Sequence, residues 1–235
     1  MLLVDIFCDA SIVPNTTWVC GGFLSVNRET MEEHQECIIQ STGTNNSGEV
    51  LAIYYAIRYA VDLSRHLPPD TRFRLFSDSK ISVYGVKKWL PGWVEGQDKD
   101  GVLYSTSGQP VANQQYFIRI FNLIVETGIN INFYHQRGHV NMKSASSMWK
   151  AQHDFQKANN TTFPYLGLDI EEISRRNDYI DNMTRDTLFK VYHNPECIKD
   201  IPYARFELND PMIWRARASD IDKFCMAVLG KPRGG

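Results

Sequence analysis

Four acidic residues have the types and settings that metal-dependent chemistry would need. Asp9 ends a strand-like run in FCDAS and Asp78 ends another in FSDSK. Glu49 follows the polar stretch GTNNSG, and Asp181 lies in RRNDYIDNMTR. Carboxylates gathered in one place repel, and each raises the pKa of the next, so a cluster of four needs cations to persist. Oxygen ligands without His or Cys select Mg²⁺ or Mn²⁺ over zinc. The matching chemistry is phosphoryl transfer at a metal pair roughly 3.5 to 4 Å apart. Each acid also has a plainer explanation. Asp78 with Ser79 can cap a following helix, Glu49 can favour a helix N-terminus, and Asp181 can be a surface charge. Only joint placement separates the two accounts.

That placement depends on the elements carrying the acids. LLVDIFCD, WVCGGFLSV and QECIIQS read as three strands joined by short turn-rich links, hence an antiparallel meander; the glycine pair in the second suggests close backbone approach. A helix is expected from about Glu49 to Arg65. Its positions 49, 53, 57 and 60 share one face, so Glu49 begins the stripe that meets the sheet. RFRLFS alternates as a fourth strand, followed by a helix over ISVYGVKKWL and a polar loop. A longer helix carrying Phe117, Ile120, Phe121 and Ile124 then leads to a fifth strand, NINFYHQ. Asp9 and Asp78 become neighbours if strands one and four lie side by side and parallel, which a crossover through the 49–65 helix produces. The predicted fold is an α/β layer with a mixed five-stranded sheet, three antiparallel strands then parallel ones, flanked by helices.

The chain of 235 residues, 43% apolar, can bury one full core. Its 25 Lys and Arg against 27 Asp and Glu leave a net charge of −2, so any polyanion must be met by a local patch. The five cysteines are odd in number, with no C-x-x-C pair, and are expected to be reduced. No apolar run approaches a membrane span, and the start MLLVDIFCDA does not read as a leader. A soluble, cytoplasmic protein is expected, and the N-x-S/T matches at Asn15, Asn45, Asn160 and Asn182 are read as chance.

The ordered motifs resemble type 1 ribonuclease H, within the retroviral-integrase-like superfamily. FCDAS resembles that family's first aspartate motif, TNNSGE its asparagine pair and helix glutamate, and FSDSK its second aspartate. RGH and NDYID resemble its late histidine and last aspartate, and GQPVAN its entry into the long helix. The resemblance implies a ribonuclease H-like fold. It also implies an endonuclease that hydrolyses the RNA strand of RNA·DNA hybrids and leaves 5′-phosphate and 3′-hydroxyl ends. By the same resemblance Asp9, Glu49, Asp78 and Asp181 hold two Mg²⁺ ions, with Mn²⁺ an alternative, and His139 shuttles a proton or helps product leave. Asn15, Thr44, Asn45 and Asn46 match positions touching the hybrid backbone, where 2′-hydroxyls distinguish RNA. Lys80, next to Asp78-Ser79, is grouped with these substrate-binding residues.

Several features depart from the family pattern. The glycine-rich first turn is replaced by ASIVPNTTW, Lys80 stands where a neutral amide is common, and the loop near residue 95 reads VEGQDKDG rather than basic. Weaker or more salt-sensitive hybrid binding is expected. Between His139 and Asp181 lies an insertion at about 141–173, containing a helix SASSMWKAQHDFQKA with Met148, Trp149 and Phe155 as apolar contacts. The expected division is a catalytic domain over 1–200, bearing this insertion, and a C-terminal extension over 201–235. Excising the insertion should leave the four-acid site assembled. The insertion could be an elongated lid, a surface that docks a protein partner or an inert segment packed on the core; the extension, with Arg215, Arg217, Lys223, Lys231 and Arg233, could dock a partner, assist nucleic-acid binding or be a solvated tail. Competing readings are a non-catalytic nucleic-acid-binding domain of the same fold and a DNA-directed nuclease of the superfamily.

Overall fold

The computed structural model describes residues 1–162, 166–208 and 215–233. β1 (Leu3–Ile12), β2 (Val19–Asn27) and β3 (Glu33–Gln40) form the expected antiparallel meander. α1 (Asn45–Ser64) then crosses over to β4 (Arg72–Ser77), which lies parallel to β1, and β5 (Ile131–His135) pairs parallel to β4. Between β4 and β5 run α2 (Lys80–Tyr84), a π-helical turn (Gly85–Trp89), α3 (Leu90–Glu95) and α4 (Gln114–Thr127). The single helix expected over ISVYGVKKWL is therefore interrupted. Pro91 cannot donate to the carbonyl of Lys87, and the widened turn just before it accommodates that loss.

After β5 come α5 (Ala145–Asn159), α6 (Ile170–His193), a short strand β6 (Ala204–Phe206) and α7 (Ile221–Leu229). Among the described residues β6 makes the sheet six-stranded rather than five, in the order β5-β4-β1-β2-β3-β6. Three residues are too few to display alternation, so this strand leaves little sequence signal. Its register is set by Cys37 N–H on the Tyr203 carbonyl at 2.7 Å and Glu207 N–H on the Ile39 carbonyl at 2.9 Å. Arg205 on β6 also reaches Glu36 of β3 at 2.9 Å. The described part of the C-terminal segment packs on the body: Phe224 of α7 is buried and stacks on Phe121 of α4.

Both faces of the sheet are covered. Along β1, Ile6 enters one core with α1, α4 and α7, while its neighbour Phe7 enters a second with α5 and α6. The glycine pair of β2 serves the two faces in turn. A Cβ on Gly21 would lie 2.5 Å from the Gly48 carbonyl of α1, and one on Gly22 would lie 2.5 Å from Thr184 of α6. Both helices therefore sit close on β2. Arg74 of β4 is buried opposite Asp5 of β1, with Nε and Nη2 at 2.5 and 2.8 Å from its carboxylate oxygens. Arg28 links Asp5 to Glu172 at the start of α6, so this network ties that helix to the sheet.

The insertion is part of the second core. Ala151 and Phe155 of α5 are buried there with Leu166 and Leu168, and the Phe155 ring stacks near Phe76 and Tyr134. Trp149, expected as an apolar contact, is instead 68% exposed and stacks on His153 one turn later. The helix presents 151 and 155 to the core, and 149 lies off that stripe. Among the described residues no helix is long and apolar enough to cross a membrane.

Candidate metal centre

Three of the four acids meet at the carboxyl ends of the parallel strands. β1 pairs with β4 as far as Cys8 and Ser77, so Asp9 and Asp78 follow the last rung of that ladder side by side. Asp9 does not end its strand, as the sequence suggested; β1 continues to Ile12, paired only with β2 on that side. α1 begins at Asn45 rather than near Glu49, because Thr44 and Ser47 form a reciprocal capping box. Glu49 consequently lies in the second turn, buried against the sheet, where stabilisation of the helix end no longer explains it. One carboxylate oxygen from each of Asp9, Glu49 and Asp78 lies within 4.8 Å of the others.

Burial and mutual repulsion govern this trio. Asp9 is pushed up to about 8, by desolvation first and then by the charge of Asp78, against the pull of an Ala10 N–H at 2.7 Å. Glu49 is raised well above the carboxylate range by burial and by Asp9 and Asp78. Its Oε2 is buried and has no hydrogen-bond partner among the described residues. Asp78 is raised by burial and held back by the charge of His139 and by Asn177. Asn177 is near enough to lower the Asp78 carboxyl, although its Nδ2 completes no well-aligned hydrogen bond. Three clustered carboxyl groups, one with an unpaired buried oxygen, offer the oxygen donor set of a hard divalent cation.

The other sequence-predicted residues lie around this centre. Asp181, on α6, falls outside the 4.8 Å set but is near enough for its charge to raise Asp9; its carboxylate meets Arg185 at 3.1 Å. His139 is exposed, holds a left-handed backbone with φ 50°, and acts electrostatically on Asp78 and Asp178. Thr44, Asn45 and Asn46 are exposed at the head of α1. The turn bearing Asn15 is linked to that rim by the Gly43 N–H on the Thr17 carbonyl at 2.7 Å. Lys80 is exposed beside Asp78, in a cleft of about 560 Å³. A larger cleft of about 890 Å³, between β5 and α7, contains none of the clustered acids.

Gly138, Asn177 and Asp178 stand in the RGH and NDYID motifs, but sequence reasoning gave them no role of their own. A Cβ on Gly138 would lie 2.0 Å from Asp78 Oδ2, so this backbone passes directly against the Asp78 carboxylate. Asn177 and Asp178 were legible only as part of the NDYID motif, since their roles depend on how α6 crosses the sheet.

A mixed α/β sheet with two buried acids and one half-buried acid gathered beyond the last β1–β4 rung has a carboxylate cluster that could hold a metal ion. The RNase H family model matches residues 3–151, more than half of the chain, and the chain belongs to the RNase H family. Asp181 lies beyond the matched span. No curated protein matches. Among solved structures the chain is similar to LC9-RNase H1, a type 1 RNase H with the type 2 active-site motif. The identity there is 18%, covering 68% of this chain and 73% of that one, with a TM-score of 0.48. LC11-RNase H1, solved in complex with an RNA/DNA hybrid, is 17% identical over 66% of this chain and 98% of that one, TM-score 0.43. RNase H1 from the halophilic archaeon Halobacterium salinarum is 19% identical over 65% and 98%, TM-score 0.40.

Proposed function

We propose that this protein is an endonuclease that hydrolyses the RNA strand of RNA·DNA hybrids in a divalent-metal-dependent reaction. The observation that supports this most is the trio of Asp9, Glu49 and Asp78, within 4.8 Å of one another, in a chain of the RNase H family. These three residues would hold Mg²⁺ or Mn²⁺, and Asp181 would complete the set for a second ion once released from Arg185. When bound, the ions supply an activated water and stabilise the leaving 3′ oxygen, consistent with 5′-phosphate and 3′-hydroxyl products.

The remaining residues bind and orient. The Ala10 N–H fixes Asp9, and Asn177 lies near enough to favour the charged form of Asp78. Asn15, Thr44, Asn45 and Asn46 offer uncharged donors and acceptors along an exposed rim, suited to 2′-hydroxyls and sugar oxygens. Lys80 offers a cation to the phosphate beside Asp78. His139, exposed and near Asp78, carries a proton to or from the phosphate oxygens. His139→Ala should lower kcat by about 10²-fold, at the low end of general acid–base contributions because water can replace the ring. Complete loss, equal to that of an acid variant, would remove the proton role.

Gly138→Ala is expected to displace the Asp78 carboxylate. Calorimetric titration should find Mg²⁺ affinity lowered by about tenfold, in the range seen when support for a metal ligand is lost. Unchanged affinity would mean that the 137–139 loop yields to the added methyl. The functional reading is tested with matched hybrid, duplex DNA, duplex RNA and single strands, each with Mg²⁺ and with chelator. Cleavage of hybrid alone, only with metal, is expected. Binding of hybrid without any cleavage would make this a binding domain, and cleavage of duplex DNA would make it a DNA-directed nuclease.

A further inference from the structure

Beside Asp78 the inserted helix builds a wall that the carboxylate site does not require. The cleft of about 560 Å³ lies between α2 with its π turn, the chain leaving β5, and the C-terminal half of α5. Four cations line it, Lys80, Lys88, Arg137 and Lys157, against two acids, Asp78 and Asp154. Asp78 belongs to the metal centre, and Asp154 pairs with Arg137 at 3.4 Å. Among the described residues, Lys80, Lys88 and Lys157 have no acid partner within ion-pair distance.

The phenol ring of Tyr84 organises two of these lysines. Lys88 Nζ lies 4.0 Å from the ring centroid and Lys80 Nζ 5.6 Å from it. Lys157 faces them across the cleft, on a helix anchored in the core by Phe155 and held to β5 by Asn159, whose side chain meets the His135 N–H at 2.9 Å and its carbonyl at 2.7 Å. An excess of ammonium groups in a solvent-open cleft of this size suits a phosphodiester. The cleft is continuous with Asp78, so that phosphodiester belongs to the strand that reaches the metal centre.

We infer that the cleft walled by α5 is a second phosphate subsite, holding the backbone of the cleaved strand next to the scissile phosphate, with Lys157 and Lys88 as its cations. The inference rests on the hybrid-nuclease reading above. It assigns the inserted helix a share in substrate binding through a residue that the rest of the site does not supply. A phosphate held there fixes the direction in which the strand crosses Asp78, and it compensates for the acidic loop VEGQDKDG elsewhere on the surface.

The test uses the full chain, a fluorescent RNA·DNA hybrid and two exposed-lysine variants. Lys157→Gln should raise KM for hybrid about fivefold at low salt with kcat unchanged, the size expected of one exposed charge pair. It should also lower the slope of log affinity against log salt by about one. Lys150→Gln, on the same helix but outside the cleft, should change neither. Hybrids bearing a single neutral methylphosphonate, scanned along the RNA strand, should contain one position near the cut at which Lys157→Gln has no further effect. Equal effects of both variants would assign the change to the general field and overturn the subsite. So would an unchanged KM and salt slope in Lys157→Gln, or a coupled position found only on the DNA strand. Failure of the wild-type protein to bind or cleave hybrid would instead remove the functional reading itself.

Discussion

Asp9→Asn and Asp78→Asn should each lower Mg²⁺-dependent hybrid cleavage by about two to three orders of magnitude or more, the scale for losing transition-state charge stabilisation. Asparagine keeps the shape and one carbonyl oxygen but removes the charge, so the damage should fall on kcat more than on hybrid binding. Metal-free stability should move the other way. The Asp9 carboxyl rises from an ordinary 3.8 to about 8 on folding, chiefly through burial, so the folded protein holds a proton there that the unfolded chain releases. Stability contributed by that proton is present at low pH and is lost as pH rises from about 4 to about 8. With the titrating group gone, Asp9→Asn should have a flatter stability profile over that window and an equal or higher Tm at pH 8 without metal. The rise in Tm on adding Mg²⁺ should shrink, because the ion stabilises only the state it binds. Near-full activity at saturating Mg²⁺, or an undiminished Mg²⁺ effect on Tm, would remove Asp9 from the metal set.

Three of the acids were legible in sequence from their local patterns. Asp9 and Asp78 close similar motifs on strands that the α1 crossover makes parallel, and Glu49 lies in phase with the buried face of its helix. What stayed hidden depends on packing between distant segments. The head of α1 was misplaced because the Thr44–Ser47 capping box competed with a turn reading of GTNNSG. Gly138 carries no periodic signal; its importance comes from the 2.0 Å that would separate a Cβ from Asp78 Oδ2. β6 is fixed by hydrogen bonds from Cys37 and Glu207 rather than by its own three side chains. Arg74 reads as a polar strand position until Asp5 appears opposite it on β1.

Loss of the inserted segment should unfold the protein, and a single substitution should reveal why. Phe155→Ala removes a ring that is 1% exposed and packed against Phe76 and Tyr134, a change that typically costs about 3–5 kcal/mol when the cavity cannot collapse. At this chain length that corresponds to a fall in Tm of about 10 °C or more. Trp149→Ala, six positions earlier in the same helix but exposed, should cost no more than about 0.5 kcal/mol. Replacing residues 142–168 with a Gly-Ser linker would strip Ala151, Phe155, Leu166 and Leu168 from the second core together and release the Asn159 hold on His135. The logarithmic cost of changing loop length is small beside that loss of buried apolar area. Circular dichroism and thermal melts should find the excised protein without a cooperative transition, while Phe155→Ala still cleaves hybrid below its lowered Tm because Asp9, Glu49 and Asp78 stand on β1, α1 and the end of β4. A folded, active excision protein with wild-type Tm would show that the insertion packs on the domain without supporting it, and that Phe155 fills a cavity the remaining core can close.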